Sequence, residues 1–280
     1  MPELPELEVV CEVLQRRVVG QSVAAIELTS AGGPIVVRDL THAGFERVLT
    51  GAAFAGVERR GKFIIFSVTT PSPANPVYLV MNPKLTGRLQ LTDPGEKRHA
   101  KTHVLFDLSN GRQLRYVDQK TMGQLYLTRA LDRVPGVAGL GPEALAVSPA
   151  EFRERLRPYR GEIKGVFTRG DFIAGIGNAY ADEILWAARI HPYRKRTQLT
   201  PEEVARLYEA MRATLLDAIE KVRAEMGEAI HLEPREFMAV HMKTGEPCPR
   251  CGTPVSLVGA NQRITNFCRT CQPGGLIKGM

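Results

Sequence analysis

The sequence predicts an α+β protein: an N-terminal β-sandwich with a leading helix, followed by a helical half that ends in a small cysteine-bearing finger. Three observations predict this class. An amphipathic segment is followed by short alternating or β-branched runs, two proline-capped helical segments come later, and four of the five cysteines lie near the end of the chain. With 280 residues and 44% hydrophobic content, the chain can build two cores.

The first element is the leading helix. Apolar residues recur at helical spacing over residues 6–18, and Gly20 ends the run. Pro2 suits the first turn of a helix, and the acidic residues that follow it suit a helix N-terminus. A structural explanation of the start of the chain is therefore available.

The same start also permits chemistry. Removal of Met1 leaves Pro2 with a secondary amine that is partly unprotonated at neutral pH and can attack an electrophilic sugar carbon. Glu3 beside it, and Glu6 one helical turn later, could move the protons that an iminium intermediate requires. A catalytic interpretation of these residues is therefore possible beside the structural explanation.

Short strand-like runs follow the helix and are separated by Gly, Pro, Asn and Asp turns. Their spacing is typical of a β-sandwich. The predicted strands cover residues 24–28, 63–68, 77–81, 103–108, 113–117 and 125–128. The N-terminal domain is predicted to span residues 1–131, and the Gly- and Pro-rich stretch 132–146 is predicted to be a linker.

The next region is helical. Ser148-Pro149 and Thr200-Pro201 each place a cap and a first-turn proline ahead of an acidic residue in capping-box order. Between the two helices, GIGNAYADE at residues 175–183 puts two glycines just before a helical segment, where exposed backbone N–H groups can hold a phosphate. The helical domain is predicted to span residues 147–240.

The cysteine spacing predicts a metal site in the last domain, residues 241–280. Cys248 and Cys251 form one pair with a two-residue spacer, and Cys268 and Cys271 form the other. In a chain with no leader peptide, disulfides are disfavoured and a zinc ribbon is the preferred interpretation. Four thiolates leave no open position on the metal, so one structural zinc ion is expected.

Charge and hydropathy restrict the partners. The net charge of +7 and the pI near 9.3 favour a polyanionic partner. No run of about 18 apolar residues and no charged-then-apolar leader is present, so we expect a cytoplasmic protein without a membrane partner.

With these pieces in place, the chain resembles the formamidopyrimidine-DNA glycosylase and endonuclease VIII family of base-excision repair enzymes. The resemblance runs the whole length and rests on MPELPE at residues 1–6, RRGKF at 59–63, the GIGNAYADE turn and the final cysteine finger, in that order. It implies a helix-two-turns-helix domain in the second half, a zinc finger, and damaged double-stranded DNA as partner. It also implies base removal through an iminium intermediate and strand cleavage by elimination.

Roles for individual residues follow from the resemblance. Pro2 is expected to be the nucleophile, Glu3 the proton donor to the sugar ring oxygen, and Glu6 its neighbour on the DNA-binding side. Three phosphate contacts are expected from Lys62, Asn178 and Arg263, with Lys164 a looser match to the same surface. For Lys62, an ordinary solvated lysine at a strand end is the alternative.

The sequence departs from the family pattern where an extruded base would leave a gap. KLTG at residues 84–87 has Leu85 where a methionine is expected, and DQKTMG at 118–123 has Lys120 and Met122 where an arginine and a phenylalanine are expected. Leu85 and Met122 can still act as apolar wedges, although core packing would also explain them. Lys120 lacks the planar fork of arginine. Residues 222–246 are also shorter than expected, which predicts a more open base pocket and altered specificity for the lesion and the opposite base.

Two other functions remain open. A non-catalytic protein that binds damaged or abasic DNA would share the fold, but it would have no use for Pro2 and Glu3. A zinc-ribbon interaction protein would leave the glycine turn and the dispersed basic positions unexplained. The favoured interpretation is a monomeric glycosylase and lyase associated with the bacterial nucleoid.

Overall fold

The computed structural model describes residues 1–70, 76–259 and 264–274. The chain forms two compact units. The first consists of Met1–Gly139 together with Val222–Pro234, and the second of Leu140–Lys221 together with the chain from Arg235 onward. The chain thus returns to its first unit at Val222, within the last residues of its longest described helix, Pro201–Met226.

In its described residues, the first unit contains a leading helix, two very short α-helices and nine strands. In chain order these are α1 (Leu4–Arg17), β1 (Val23–Leu28), α2 (Gly33–Val36), β2 (Val37–Asp39), α3 (Phe45–Leu49), β3 (Ala53–Arg60), β4 (Phe63–Thr69), β5 (Val77–Asn82), β6 (Gly87–Thr92), β7 (Thr102–Leu108), β8 (Gln113–Asp118) and β9 (Gln124–Thr128).

The nine strands form two sheets. One sheet has four strands in the order β1-β7-β8-β6, and the other has five in the order β2-β9-β5-β4-β3. Every pair is antiparallel except β2 with β9. Phe54 on β3 meets Phe106 on β7 with ring centroids 6.3 Å apart, so the sheets share one buried core. The predicted sandwich and leading helix are confirmed.

All six predicted strands are present, each within a residue or two of its expected bounds. Three further strands were not predicted: β2, β3 and β6. They matter for the site, because β3 leads into the turn that carries Lys62, and β6 begins two residues after Leu85.

The second unit is mainly helical. It contains α4 (Pro149–Leu156), α5 (Ile163–Phe167), α6 (Asn178–Ala187), most of α7 (Pro201–Met226), and the hairpin strands β10 (Ser256–Val258) and β11 (Thr265–Phe267). Aromatic rings of Phe152, Phe167, Phe172 and Tyr208 form its centre. Across the described ranges, no helix has both the length and the hydropathy of a membrane span.

Both predicted helix caps are present. Ser148 Oγ accepts the backbone N–H of Glu151 at 3.1 Å at the start of α4. At the start of α7 the capping box is complete: Thr200 Oγ1 accepts the N–H of Glu203 at 3.3 Å, and the Glu203 carboxylate accepts the N–H of Thr200 at 2.9 Å. The caps fix where α4 and α7 begin.

Candidate active site and nucleic-acid interface

The start of α1 buries two carboxylates. Glu3 is the N-cap residue, and Glu6 Oε2 accepts its backbone N–H at 2.8 Å. Glu3 is only 2% exposed and Glu6 only 1%. Two buried acidic side chains at one helix end are uncommon, so this end of the helix is a candidate for proton transfer.

Pro2 lines a small cavity at the same end of α1. The cavity has a volume of about 10 Å³, and its wall includes Glu6, Arg88, Ile230 and Leu232. This volume accommodates about one water molecule. The segment after α7 therefore covers Pro2 closely in this structure, through Ile230 and Leu232.

Glu233 forms two ion pairs near the N-terminus. Its Oε1 lies 3.2 Å from the α-ammonium of Met1, and its Oε2 pairs with the guanidinium of Arg88. Arg88 also donates to the carbonyl of Gly87 at 2.8 Å. A carboxylate is thus held beside Met1, the residue that directly precedes Pro2.

The turn that carries Lys62 is tied to the same helix. Arg59 Nε lies 2.6 Å from Glu8 Oε2 on α1, and Arg59 Nη1 donates to the carbonyl of Gly61 at 3.1 Å. Gly61 has a φ of 58°, which favours glycine at this point of the β3–β4 turn. Arg59 therefore fixes the Lys62 turn against α1.

The three expected gap-filling residues lie on two turns of the sandwich. Leu85 is half-buried between β5 and β6, whereas Lys120 and Met122 are exposed between β8 and β9. Met122 is 49% exposed. Core packing therefore does not explain Met122, and side chains on both turns are accessible to a ligand.

Asp118 joins these two turns. Its carboxylate accepts the hydroxyl of Thr86, the backbone N–H groups of Lys120, Met122 and Gly123, and the hydroxyl of Tyr116. Burial alone would raise the pKa of Asp118, but the hydrogen bonds outweigh burial and hold the pKa below its usual value. The carboxylate stays ionised as the common anchor of both turns.

Two glycines allow the turns to come this close. A Cβ on Gly123 would lie 2.1 Å from the Tyr116 hydroxyl oxygen, and one on Gly87 would lie 2.6 Å from it. Neither position has room for a side chain. The glycines therefore let both turns come close to the hydroxyl of one buried tyrosine.

In the second unit, two predicted phosphate-binding residues meet at one carbonyl. Asn178 Nδ2 donates to the carbonyl of Ile264 at 2.8 Å, and Lys164 Nζ donates to the same carbonyl at 2.9 Å. Ile264 directly follows Arg263, which lies outside the described residues. The contact ties the start of α6 to the finger hairpin.

Lys164 is buried, not exposed as a direct phosphate contact would be. It is 6% exposed, and its ammonium lies 2.7 Å from Asp182 Oδ1 and 2.9 Å from Thr265 Oγ1. Asp182 also accepts His241 Nδ1 at 2.9 Å and the N–H of Asn266 at 3.2 Å. This geometry favours a role in positioning the hairpin.

The four finger cysteines are arranged for one metal ion. Their Sγ atoms all lie within 4.8 Å of one another, with Cys251 and Cys268 at 3.4 Å and Cys248 and Cys271 at 3.9 Å. A tetrahedral site with Zn–S bonds of about 2.3 Å requires sulfur atoms roughly 3.8 Å apart. The residues fit one structural zinc, which holds the short finger in its fold.

Cys11 has no part in this site. It is buried in α1, and burial raises the pKa of its thiol far above its usual value. A thiol that stays protonated is a poor nucleophile and a poor metal ligand. Cys11 therefore packs in α1 as a small buried apolar residue.

Several supporting residues were not predicted as site residues from the sequence. Arg59, Arg88, Asp118 and Glu233 gain their roles in large part through contacts with segments distant in the sequence. Asp182 was part of the GIGNAYADE motif, and its place beside the glycine turn was the one available signal. Its ion pair with a buried lysine was not predicted.

Comparisons with known proteins agree with this arrangement. Residues 1–125 match the formamidopyrimidine-DNA glycosylase N-terminal domain, residues 139–228 match the H2TH domain of the same enzymes, and residues 245–274 match a zinc finger found in FPG and IleRS. These matches define the class, a DNA glycosylase with a zinc finger.

Curated relatives cover almost the whole chain. A formamidopyrimidine-DNA glycosylase of Symbiobacterium thermophilum is 38% identical over 98% of this chain and 90% of its own length. One of Pelotomaculum thermopropionicum is 36% identical over 97% and 99%, respectively. The chain belongs to the formamidopyrimidine-DNA glycosylase family.

Solved structures support the fold. The chain is similar to Lactococcus lactis Fpg in complex with abasic-site DNA, with a TM-score of 0.83, 29% identity, and coverage of 97% of this chain and 100% of that one. It is also similar to the same protein in complex with DNA containing N7-benzyl-Fapy-dG, with a TM-score of 0.84, 30% identity, and coverage of 98% and 100%.

Proposed function

We propose that this protein is a bifunctional DNA glycosylase and abasic-site lyase of base-excision repair. It removes a damaged, oxidised or ring-opened base from duplex DNA and then cleaves the strand. The observation that carries the proposal is the placement of Pro2 beside the buried carboxylates Glu3 and Glu6 in a member of this family.

The reaction begins after Met1 is removed. The lone pair of the Pro2 amine attacks C1′ of the deoxyribose, and the glycosidic C1′–N bond breaks with its electron pair leaving on the base. Glu3 donates a proton to the ring oxygen as the sugar opens, which leaves an iminium between Pro2 and C1′.

Strand cleavage follows from the iminium. Its positive charge acidifies the C2′ hydrogen, and loss of that proton expels the 3′ phosphate by β-elimination. Water then adds to C1′ and releases the sugar fragment, which restores the Pro2 amine. Glu6 and Glu233 flank this site and favour the cationic intermediate electrostatically.

DNA is held through its phosphates. Lys62 supplies a cation from the turn beside α1, whereas Asn178 and Arg263 supply contacts from the second unit. Lys164 acts through the carbonyl of Ile264 and its ion pair with Asp182, as a positioning residue. Such contacts fix the register of the protein on DNA and make affinity depend on salt.

The wedge residues favour relaxed specificity. Leu85 and Met122 fill the gap left by the extruded nucleotide, and Lys120 contacts the opposite base without the bidentate geometry of arginine. We propose that 8-oxoguanine is excised at similar rates opposite each of the four bases, and that the preferred lesion is not simply 8-oxoguanine. The enzyme acts as a monomer in the cytoplasm, at the nucleoid.

Borohydride trapping on duplex DNA with one abasic site tests the proposal. Processed wild-type protein should form a covalent adduct that peptide mapping places on Pro2. Pro2→Gly should lower trapping strongly, and Glu3→Gln should lower base excision more than trapping. Gln15→Ala, an exposed change on the same helix, is the matched control.

The same experiment distinguishes the proposed enzyme from the alternative function. A processed protein that binds this DNA and never traps would contradict the lyase mechanism and favour a non-catalytic protein that binds damaged DNA. An adduct mapped to a lysine would reject Pro2 as the nucleophile.

A further inference from the structure

Met242 is both strained and exposed. Its φ is 58° and it is 75% exposed. A long side chain is disfavoured in the left-handed region, and so exposed a side chain gains little from burial. Burial within the protein therefore does not explain why a methionine occupies this position.

The surrounding contacts enforce this conformation. The three backbone N–H groups of residues 239–241 donate to the Glu183 carboxylate at 2.8–2.9 Å. The N–H of Lys243 then donates to the carbonyl of Val240 at 3.1 Å. Met242 is the third residue of the resulting turn, a position at which a positive φ is usually supplied by glycine.

The turn adjoins the proposed DNA-binding surface of the second unit. The backbone N–H of Met242 donates to Asn266 Oδ1 at 3.0 Å. Asn178 binds the carbonyl of Ile264, two residues before Asn266, and Ile264 is itself 41% exposed. Met242 is thus connected to the stretch that Asn178 anchors next to Arg263.

Strain of this kind recurs next to the other proposed DNA contacts. Lys84 directly precedes Leu85, and Thr121 directly precedes Met122. Backbone strain tends to collect at functional sites, where the surrounding structure maintains it. The described non-glycine residues with a positive φ are His42, Lys84, Thr121, Arg189 and Met242.

We infer that Met242 is a further DNA-contacting residue, whose side chain packs on the apolar face of a deoxyribose beside the phosphate held by Asn178. The inference rests on the proposed function. A flexible thioether suits an irregular sugar surface. Because the side chain is uncharged, its contact releases no counterion from DNA.

Binding of the zinc-loaded, full-length protein to a duplex with one tetrahydrofuran abasic analogue tests the inference. Dissociation constants are measured by fluorescence anisotropy over a series of KCl concentrations. Met242→Ala and Met242→Gly should weaken binding about tenfold at every concentration, as expected for a lost apolar contact. The slope of log Kd against log[KCl] should stay unchanged, and Met242→Leu should bind within about twofold of wild type.

Two controls separate lost contact from lost structure. Met242→Gly suits the positive φ, so its thermal midpoint should not fall below that of wild type. Leu216→Ala truncates an exposed apolar residue of α7 in the same unit and should leave affinity unchanged.

Unchanged affinity of Met242→Ala and Met242→Gly, or a change in salt slope, would overturn the inference. If the wild-type protein binds the analogue and forms the trapped adduct on abasic DNA, and the variants bind the analogue equally well, only this inference is rejected. A wild-type protein that neither binds nor traps rejects the proposed function first.

Discussion

Thr86 Oγ1 donates a hydrogen bond to Asp118 Oδ1, and this contact links the two turns that carry the proposed wedge residues. The same hydroxyl accepts the backbone N–H of Lys120 at 3.0 Å. Thr86 therefore connects the turn of Leu85 directly to the turn of Met122. Both wedges depend on one buried carboxylate and one hydroxyl.

Thr86→Val should loosen this link while preserving the shape of the side chain. The variant removes one donor to Asp118 and one acceptor for Lys120, so we expect a loss of about 1–3 kcal/mol in unfolding free energy. Excision of a paired damaged base should fall more than cleavage at a preformed abasic site, because only the former requires an intact base to be extruded. Urea unfolding and the two rates measure these effects.

Thr69→Val is the control, because Thr69 is exposed at the end of β4. It should change neither stability nor the ratio of the two rates. Equal losses of both rates in Thr86→Val would mean that the link supports the fold without affecting extrusion.

Lys164→Met should be strongly destabilising. Lys164 and Asp182 have side chains only 8% and 0% exposed, and removing the cation leaves a buried carboxylate without its ionic partner. Breaking a buried pair in this way costs roughly 3–5 kcal/mol. Urea unfolding of the second unit should show a lower midpoint.

Lys195→Met removes an exposed lysine from the same unit and should shift stability by less than about 0.5 kcal/mol. The double variant Lys164→Met/Asp182→Asn should lose less than the sum of the two single variants, because the uncompensated charge is absent. Strict additivity would argue against the ion pair.

Residues that act with their sequence neighbours were predictable from the sequence. Pro2 and Glu3 are adjacent in the chain, and the cysteine pairs carry their own spacing. In contrast, Thr86 and Asp118 are 32 positions apart, and Lys164 lies 100 positions from Ile264. Such pairs exist only once the sheets and helices have packed, so no local pattern indicates them.

The missed strands have a similar physical explanation. β3 contains Gly56 and ends in Glu58, Arg59 and Arg60, and only one of its eight residues is fully buried. Its pairing with β4 along nearly its whole length stabilises it more than its own propensity does. β6 begins at Gly87 immediately after a turn. The alternating apolar pattern that Leu89 and Leu91 form is therefore too short to indicate a strand by itself.

Acidification should lower the free energy of unfolding through His231, which lies in the segment that covers Pro2. Burial, and then repulsion from His99, lower the pKa of His231 below its usual value of 6.5. The unfolded chain therefore binds more protons than the folded one as the pH falls below about 6.5, and stability is lost on that side. Denaturant unfolding of wild type between pH 7.5 and 5.5 should show this loss.

His231→Gln removes the titrating ring and should flatten the pH dependence over this range. His42→Gln, an exposed change in the same unit, should keep the wild-type slope. A His231→Gln protein that loses as much stability as wild type would exclude this histidine as the cause.

Removal of zinc should be reported by Trp186, the only tryptophan of the chain. Its Nε1 donates to Cys248 Sγ at 3.4 Å, and the guanidinium of Arg250 lies 4.0 Å from its ring centroid. A chelator should release these contacts, shift the emission of Trp186 and abolish high-affinity DNA binding, because the hairpin next to Arg263 loses its fold. Added zinc should restore both signals.

Trp186→Phe separates the effect of losing the tryptophan from the effect of losing the zinc ion. This variant should still bind one zinc ion and retain DNA binding within a fewfold of wild type, since Phe keeps the ring for Arg250 and loses only a weak hydrogen bond to sulfur. Cys268→Ser should instead lower zinc content and DNA affinity together, because it replaces a buried ligand. Full DNA affinity in a zinc-free protein would show that the finger fold does not depend on the metal.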